Sequence, residues 1–392
     1  MQRSFLRAIA SFVALFVVSA TVSAQASLND VLTPFLAKYE LPAVAAAVVK
    51  DGTIAAAGAV GTRRAGQDIP VTLEDRFHIG SDTKAMTALL AGMAVDEGLL
   101  RWTTTVGEAF PELASTMNPK LAGVTLRQLL SHTSGIAGDN AELVELYEKS
   151  ASQDGNLDDL RLWVIKQWSS KPMASEPGST FAYSNLNFII AGSMIERAYR
   201  TTWEELVTER VFVPLGLTTA GLQSQSSYGK VDAPLGHITI DGKQKAILAG
   251  PMCDEMAVVG PAGMAHMSVL DFARWAGWNA AEGKRGPALV RAETLKLLHT
   301  PVVSPPPRPD AAPGTPARGD YCLGWGKVSV DWAPSPLVHH AGSNSMNLAH
   351  IWVDPEHDFA MVVVTNISNR KADEALFAIA PKLYEQFSGA KR

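Results

Sequence analysis

The chain is short of positive charge, short of cysteine and poor in long apolar runs, and each shortage rules something out. Its 392 residues hold 34 Lys and Arg against 39 Asp and Glu, a net charge of −5. That balance offers nothing to a phosphate backbone or an anionic bilayer, so neither nucleic acid nor a membrane surface is expected as a partner. Only two cysteines occur, Cys253 and Cys322; a disulfide and two buried free thiols both fit them. No Gly-x-Ser-x-Gly is present, which removes the nucleophile elbow of α/β-hydrolases. A phosphate-binding glycine loop and a dinucleotide fingerprint are missing too. His78, His237, His266 and His299 are scattered, and His350 and His357 flank a hairpin turn. No pair has zinc-site spacing beside a cysteine or carboxylate cluster, so no metal and no other cofactor is expected.

The one apolar run lies at the start. Arg3 and Arg7 precede "AIASFVALFVVSA" (residues 8–20), too short to span a bilayer comfortably. "TVSAQA" follows, with small residues at Val22 and Ala24 as a signal peptidase needs. Residues 1–24 therefore read as a cleaved secretory signal, with an uncleaved anchor as the alternative, and the mature chain is expected in the periplasm or outside the cell. Losing Arg3 and Arg7 takes the net charge from −5 to −7. No cysteine sits at the cleavage point to carry a lipid, and no later run is long enough for a membrane span. Removing 24 of 392 residues leaves 368, enough for two packed units.

Both ends of that mature chain read alike. "ASLNDVLTPFLAKYE" (residues 26–40) has helical periodicity. "AVAAAVVKDGTIAAAGAVG" (residues 43–61) is two apolar strands about Asp51-Gly52, a strong hairpin signal. Near the other end, "LAHIWVDPEHDFAMVVVTN" (residues 348–366) is strand, turn and β-branched strand, and "KADEALFAIAPKLYEQF" (residues 371–387) a closing helix that Pro381 should kink. One antiparallel sheet built from both termini is predicted. Between residues 86 and 230 the periodicity is helical, clearest in "DDLRLWVIKQW" and "FIIAGSMIERAYRTTWEELVTERVF". The expected fold is α+β: a sheet flanked by helices, from residues 25–85 and 231–392, with an all-helical domain at 86–230 inserted between. Residues 301–319 are too Pro-rich for anything but a surface loop.

Within "IGSDTKAMTALL" (residues 79–90) a helix that is apolar almost all round carries one lysine, Lys84, a turn after Ser81. A buried ammonium is expensive unless it is paired or gives up its proton. Residues i and i+3 share a helix face, so Lys84 can reach Ser81. Burial favours the neutral amine, which is the form able to take the hydroxyl proton and make serine a nucleophile. The positive end of the helix dipole would lie close to a developing oxyanion. Ser-x-x-Lys also occurs at Ser227, Ser368 and Ser388, but only Ser81 opens an apolar helix.

Five segments then occur in order: "RFHIGSDTKAMTALLAGMAVDEGLL", "LRQLLSHTSGI", "PGSTFAYSNLNFIIAGSMIE", "VFVPLGL" and "HHAGSNSMNLAHIWVDPEHDFAMVVVTN". Together they resemble the class C β-lactamase-related serine hydrolases, which include β-lactamases, D-Ala-D-Ala carboxypeptidases, D-aminopeptidases and lactamase-like carboxylesterases. The resemblance covers nearly all of the mature chain and implies that family's lactamase/transpeptidase-like fold. It implies Ser81 as the acyl-accepting nucleophile, Lys84 as its base and Tyr183 as the group exchanging protons with serine, leaving group and water. Asn185 would bond Lys84 or the substrate. Tyr-x-Asn occurs once, at Tyr183-Ser184-Asn185.

Where the family pattern carries Lys-Thr-Gly, this chain has His340-Ala341-Gly342. Gly342 would let substrate approach the strand, and the Ser343 N–H would join that of Ser81 as an oxyanion hole. A histidine is mostly neutral at pH 7 and recognises an anion less well than lysine. The expected activity is therefore hydrolysis of small esters, with lactams or D-amino-acid peptides as the alternative within the same chemistry. A non-catalytic peptide- or peptidoglycan-binding scaffold is the alternative outside it. His339 should face away from the cleft, and His132 in "LLSHTSGI" is expected to pack rather than react.

Overall fold

The computed structural model describes residues 25–250, 254, 256–307, 311–316 and 319–390. The predicted signal at residues 1–24 and Cys253 lie outside that set. In chain order the strands are β1 (Ala26–Ser27), β2 (Ala43–Lys50), β3 (Thr53–Gly61), β4 (Arg76–His78), β5 (Gly221–Leu222), β6 (Gly236–Ile240) and β7 (Lys243–Ile247). They continue with β8 (Ala265–Ser268), β9 (Gly319–Tyr321), β10 (Gly326–Val328), β11 (Leu337–Ser343), β12 (Leu348–Asp354) and β13 (Phe359–Thr365). Eight of them form one sheet in the order β1-β3-β2-β13-β12-β11-β10-β9. Only β1 runs parallel to its neighbour. The N-terminal hairpin meets the C-terminal one through β2 and β13, Val44 opposite Thr365 and Lys50 opposite Phe359.

Period-two alternation decides which layer each strand residue joins. Ala43, Ala45, Ala47 and Val49 of β2 face the larger core, with Ala360, Val362 and Val364 of β13. Val44, Ala46 and Val48 face the opposite side, with Met361 and Val363. That second layer is closed by helix α1 (Asn29–Tyr39) and the C-terminal helix, which buries Ala375, Leu376, Ile379, Ala380 and Leu383 against the sheet. This last helix runs as one element from Arg370 to Phe387 with Pro381 inside it.

Helices α2 (Thr83–Asp96), α3 (Leu157–Trp168) and α4 (Asn185–Tyr199) belong to a region in which every described element from Thr83 to Phe212 is helical, and their buried apolar residues join the larger core. Helix α5 (Val269–Ala280) lies on β2, β12 and β13, and α6 is the closing helix Arg370–Phe387. Every residue of α2 from Thr83 to Ala94 is buried. Such a helix has no polar face to show water, so its one lysine must find partners inside the protein. Strands β4, β8 and β5 make a small second sheet, and β6 and β7 a separate hairpin. Among the described residues no helix is long and apolar enough to cross a membrane. Cys322 is a free, buried thiol, and burial pushes it up to about 12, which leaves it inert as a nucleophile.

Candidate active site

Strand β4 ends at His78, and the chain turns through Gly80–Asp82 in a single 3-10 turn before α2 begins at Thr83. Three residues per turn is the 3-10 repeat, so side chains three apart eclipse. Lys84 therefore stands over Ser81, with Nζ 3.0 Å from the serine Oγ. Two further acceptors surround the same nitrogen: Asn185 Oδ1 at 2.8 Å and the Ala262 carbonyl at 2.7 Å. Lys84 is fully buried, whereas Ser81 is partly open to solvent.

Tyr183 and Asn185 reach this point from the start of α4. Asp139 accepts the Asn185 N–H at 3.1 Å and the Ser184 hydroxyl at 3.0 Å, satisfying the first turn of the helix. The Tyr183 ring lies with its centroid 4.8 Å from Lys84 Nζ and 4.3 Å from the ring of His132. His132 brackets the tyrosine: its carbonyl accepts the Ala182 N–H at 2.9 Å, and its Nδ1 faces the Ser184 N–H at 3.3 Å and Asn187 Nδ2 at 3.1 Å. Two donors on Nδ1 assign the ring proton to Nε2. Burial, with Lys84 and His340 nearby, holds His132 neutral, far below the ordinary histidine range. Its ring packs against that of Tyr183 from within the protein.

Strand β11 meets the Gly80–Asp82 turn backbone to backbone. A Cβ built on Gly342 would stand 1.9 Å from the Ile79 carbonyl oxygen and 2.8 Å from the Ser81 nitrogen. One on Gly80, whose φ is +50°, would stand 2.3 Å from the Ser343 nitrogen. Only two facing glycines allow this approach. It brings the Ser81 and Ser343 amides onto adjoining backbones. The Ser343 hydroxyl bonds Ser368 Oγ at 2.8 Å.

His340 is placed differently from a substrate-facing lysine substitute. Its ring is 6% exposed. Nδ1 lies 3.1 Å from Asp82 Oδ1, and Nε2 lies 3.3 Å from the hydroxyl of Tyr321. Burial pushes His340 down to about 3 and pushes the wholly buried Asp82 well up, against the opposing pull of Lys84. Both groups are thus disfavoured as ions. The neutral arrangement has the Asp82 carboxylic O–H donating to Nδ1 and Nε2–H donating to Tyr321. His339 does face the other way, its ring centroid 3.9 Å from that of Trp352.

Sequence reasoning singled out Ser81, Lys84, Tyr183, Asn185, His340, Gly342 and Ser343, and these converge on one place. It missed Asp82, Tyr321 and the Ala262 carbonyl. Asp82 lies inside the quoted motif, but nothing local says which way an aspartate at a helix start will point. Tyr321 and Ala262 are distant in sequence and join only through the sheet edge and α4.

The family model described as Beta-lactamase matches residues 28–383. Among curated proteins, the chain is 25% identical to "Penicillin-binding protein 4" of Amycolatopsis lactamdurans, over 84% of this chain and 82% of that one. It is 22% identical to "Protein flp" of Staphylococcus aureus (strain COL), over 94% of this chain and 66% of that one. Among solved structures, the octameric penicillin-binding protein homologue from Pyrococcus abyssi superposes with a TM-score of 0.71 at 23% identity, covering 90% of this chain and 76% of that one. The D-alanine carboxypeptidase AmpC from Burkholderia cenocepacia gives 0.66 at 21%, covering 90% and 96%.

Proposed function

The chain belongs to the Beta-lactamase family, a superfamily of serine hydrolases, and on that premise we propose that it is an exported carboxylesterase acting on small, uncharged esters through an acyl-enzyme at Ser81. The observation that carries this reading is the set of partners around Lys84 Nζ. As an amine, Lys84 has two N–H bonds. Asn185 Oδ1 and the Ala262 carbonyl can only accept, and they take both. Ser81 Oγ, 3.0 Å from the same nitrogen, lies where a base that takes its proton must be.

The steps follow. Ser81 Oγ bonds to the ester carbonyl carbon as its proton passes to Lys84 Nζ, and the carbonyl oxygen takes the negative charge. The Ser81 and Ser343 amides receive that charge. The bond from carbon to the alcohol oxygen breaks, and the leaving oxygen gains the proton from Lys84 by way of the Tyr183 hydroxyl. Water then attacks the acyl carbon, passing a proton to the same pair. Ser81 leaves with that proton, and the carboxylic acid departs.

His340 supports the choice of substrate. With both ring nitrogens engaged and its pKa low, this position of β11 offers no fixed cation to a substrate carboxylate. Esters without that carboxylate suit such an edge better than lactams or D-amino-acid peptides, the alternative that the relatives' names bring. The partner is a small molecule rather than nucleic acid.

Hydrolysis of p-nitrophenyl butanoate by the mature protein and by Ser81→Ala is the test. A clear wild-type rate that the variant loses is the expected result. Equal rates would remove Ser81 as nucleophile, and faster turnover of a chromogenic cephalosporin than of the ester would favour the lactam reading. A serine-directed phosphonate that adds no mass would favour the binding scaffold. Export is proposed from residues 1–24, and N-terminal sequencing of protein from its natural host should begin at Gln25.

A further inference from the structure

The two amides assigned to the oxyanion belong to segments distant in sequence, one after β4 and one at the end of β11. A chain of buried side chains ties these segments together. His78, the last residue of β4, is wholly buried. Its Nδ1 accepts the Gly80 N–H at 3.0 Å, which ties the ring to the turn leading into Ser81. An accepting Nδ1 assigns the ring proton to Nε2, and Nε2 stands 3.3 Å from Asp254 Oδ2, a charge contact without the alignment of a hydrogen bond. The other carboxylate oxygen of Asp254 accepts Asn344 Nδ2 at 2.9 Å. Asn344 follows Ser343, and its Oδ1 accepts the N–H of Asn347 at 2.9 Å, closing the turn that ends β11. Asn347 Oδ1 in turn accepts Gln225 Nε2 at 2.9 Å.

His78, Asn344 and Asn347 are all at most 3% exposed. Packing alone would be served as well by apolar side chains of similar volume. Apolar side chains supply no directional attraction between two backbone segments, whereas here the Gly80–His78 and Asn344–Asp254 hydrogen bonds are joined by the polar His78–Asp254 contact.

We propose that His78, Asp254 and Asn344 form a brace that sets the separation of the Ser81 and Ser343 amides, making His78 a positioning residue for the oxyanion site. This rests on the reading of Ser81 given above. The brace acts on transition-state charge, not on substrate binding, so its loss falls on kcat and leaves KM nearly unchanged.

His78→Asn keeps an acceptor near the Gly80 N–H but cannot reach Asp254. Asp254→Leu cuts the middle of the brace. Each is compared with wild type on p-nitrophenyl butanoate and on its thiono analogue, in which C=S replaces C=O. Sulfur accepts hydrogen bonds poorly, so an enzyme with a misplaced oxyanion donor discriminates less between the two. A donor displaced rather than deleted should cost roughly 10- to 100-fold in kcat, short of the loss expected for outright removal. The ester-to-thionoester rate ratio should fall in parallel, and the double variant should be no worse than the worse single one. Wild-type kcat and ratio in both singles would overturn the brace, as would additive losses with an unchanged ratio. Should a single variant fail to fold, Asn344→Ser carries the same ratio test. Ser81→Ala is the separate control: activity surviving there overturns the nucleophile, whatever the brace variants do.

Discussion

Lys84 and Asp82 are two residues apart, both buried to the last atom and both chemically awkward there. An ionised Asp82 beside Lys84 would hold the lysine as an ammonium, which has no lone pair to offer. Burial instead favours the protonated form of Asp82, with His340 Nδ1 as its partner, which weakens the charge that Asp82 presents to the amine. Lys84→Ala should therefore cost roughly 10²- to 10⁴-fold in kcat, the usual range for a positioned base, measured by steady-state ester hydrolysis. Asp82→Asn keeps a neutral donor toward His340, so its kcat/KM should stay within roughly tenfold of wild type. Asp82→Ala leaves a buried ring nitrogen unpaired and should cost about 1–3 kcal/mol in denaturant unfolding. A collapse of activity in Asp82→Asn would mean that the carboxylate charge is needed. The pairing of Ser81 with Lys84 was legible from spacing and apolar context. The pairing of Asp82 with His340 was not, since 258 residues separate the two.

At the scale of elements, the site is the meeting of a turn, a strand edge and a helix start. Gly342 and Gly80 let β11 and the Gly80–Asp82 turn touch through their backbones. Gly342→Ala places a methyl group against the Ile79 carbonyl and the Ser81 amide, and backbone atoms on both sides cannot give way. Overpacking of this kind costs about 1–3 kcal/mol of stability, but activity should suffer more, by roughly 10²-fold or beyond, because an oxyanion donor moves. Denaturant unfolding and ester hydrolysis on the same sample separate the two effects. Hairpins and helices at both termini were readable because their alternation is clean and Asp51-Gly52 marks its turn. The two-residue strand β1 was read as helix, since a parallel edge strand that short leaves no periodicity. Strands β4, β5 and β8, two to four residues each, likewise carry no pattern of their own.

The whole molecule buries several histidines in neutral form. Burial holds His266 and His299 at about 4 and His340 at about 3, with His132 also far below the ordinary range. In the unfolded chain all four titrate near 6.5. Below that pH the unfolded state binds protons that the native state does not, so stability falls as pH drops from about 6.5 toward 4. Each histidine contributes up to ~1.4 kcal/mol per pH unit in that window. Asp82 and Glu196, both raised by burial, hold native-state protons and work in the opposite sense, so two of the four are offset and the net slope keeps its sign. Thermal unfolding at pH 5 should give a lower midpoint than at pH 7.5, and an equal or higher one would contradict neutral burial. By itself the sequence determined the α+β class, the sheet made from both termini and the Ser81–Lys84 pair, because periodicity and i,i+3 spacing are local geometry. Only the tertiary structure decided what surrounds that pair. The Ala262 carbonyl, the Asp82–His340–Tyr321 chain and the His78 brace join segments hundreds of residues apart, and long-range packing alone sets which of them meet.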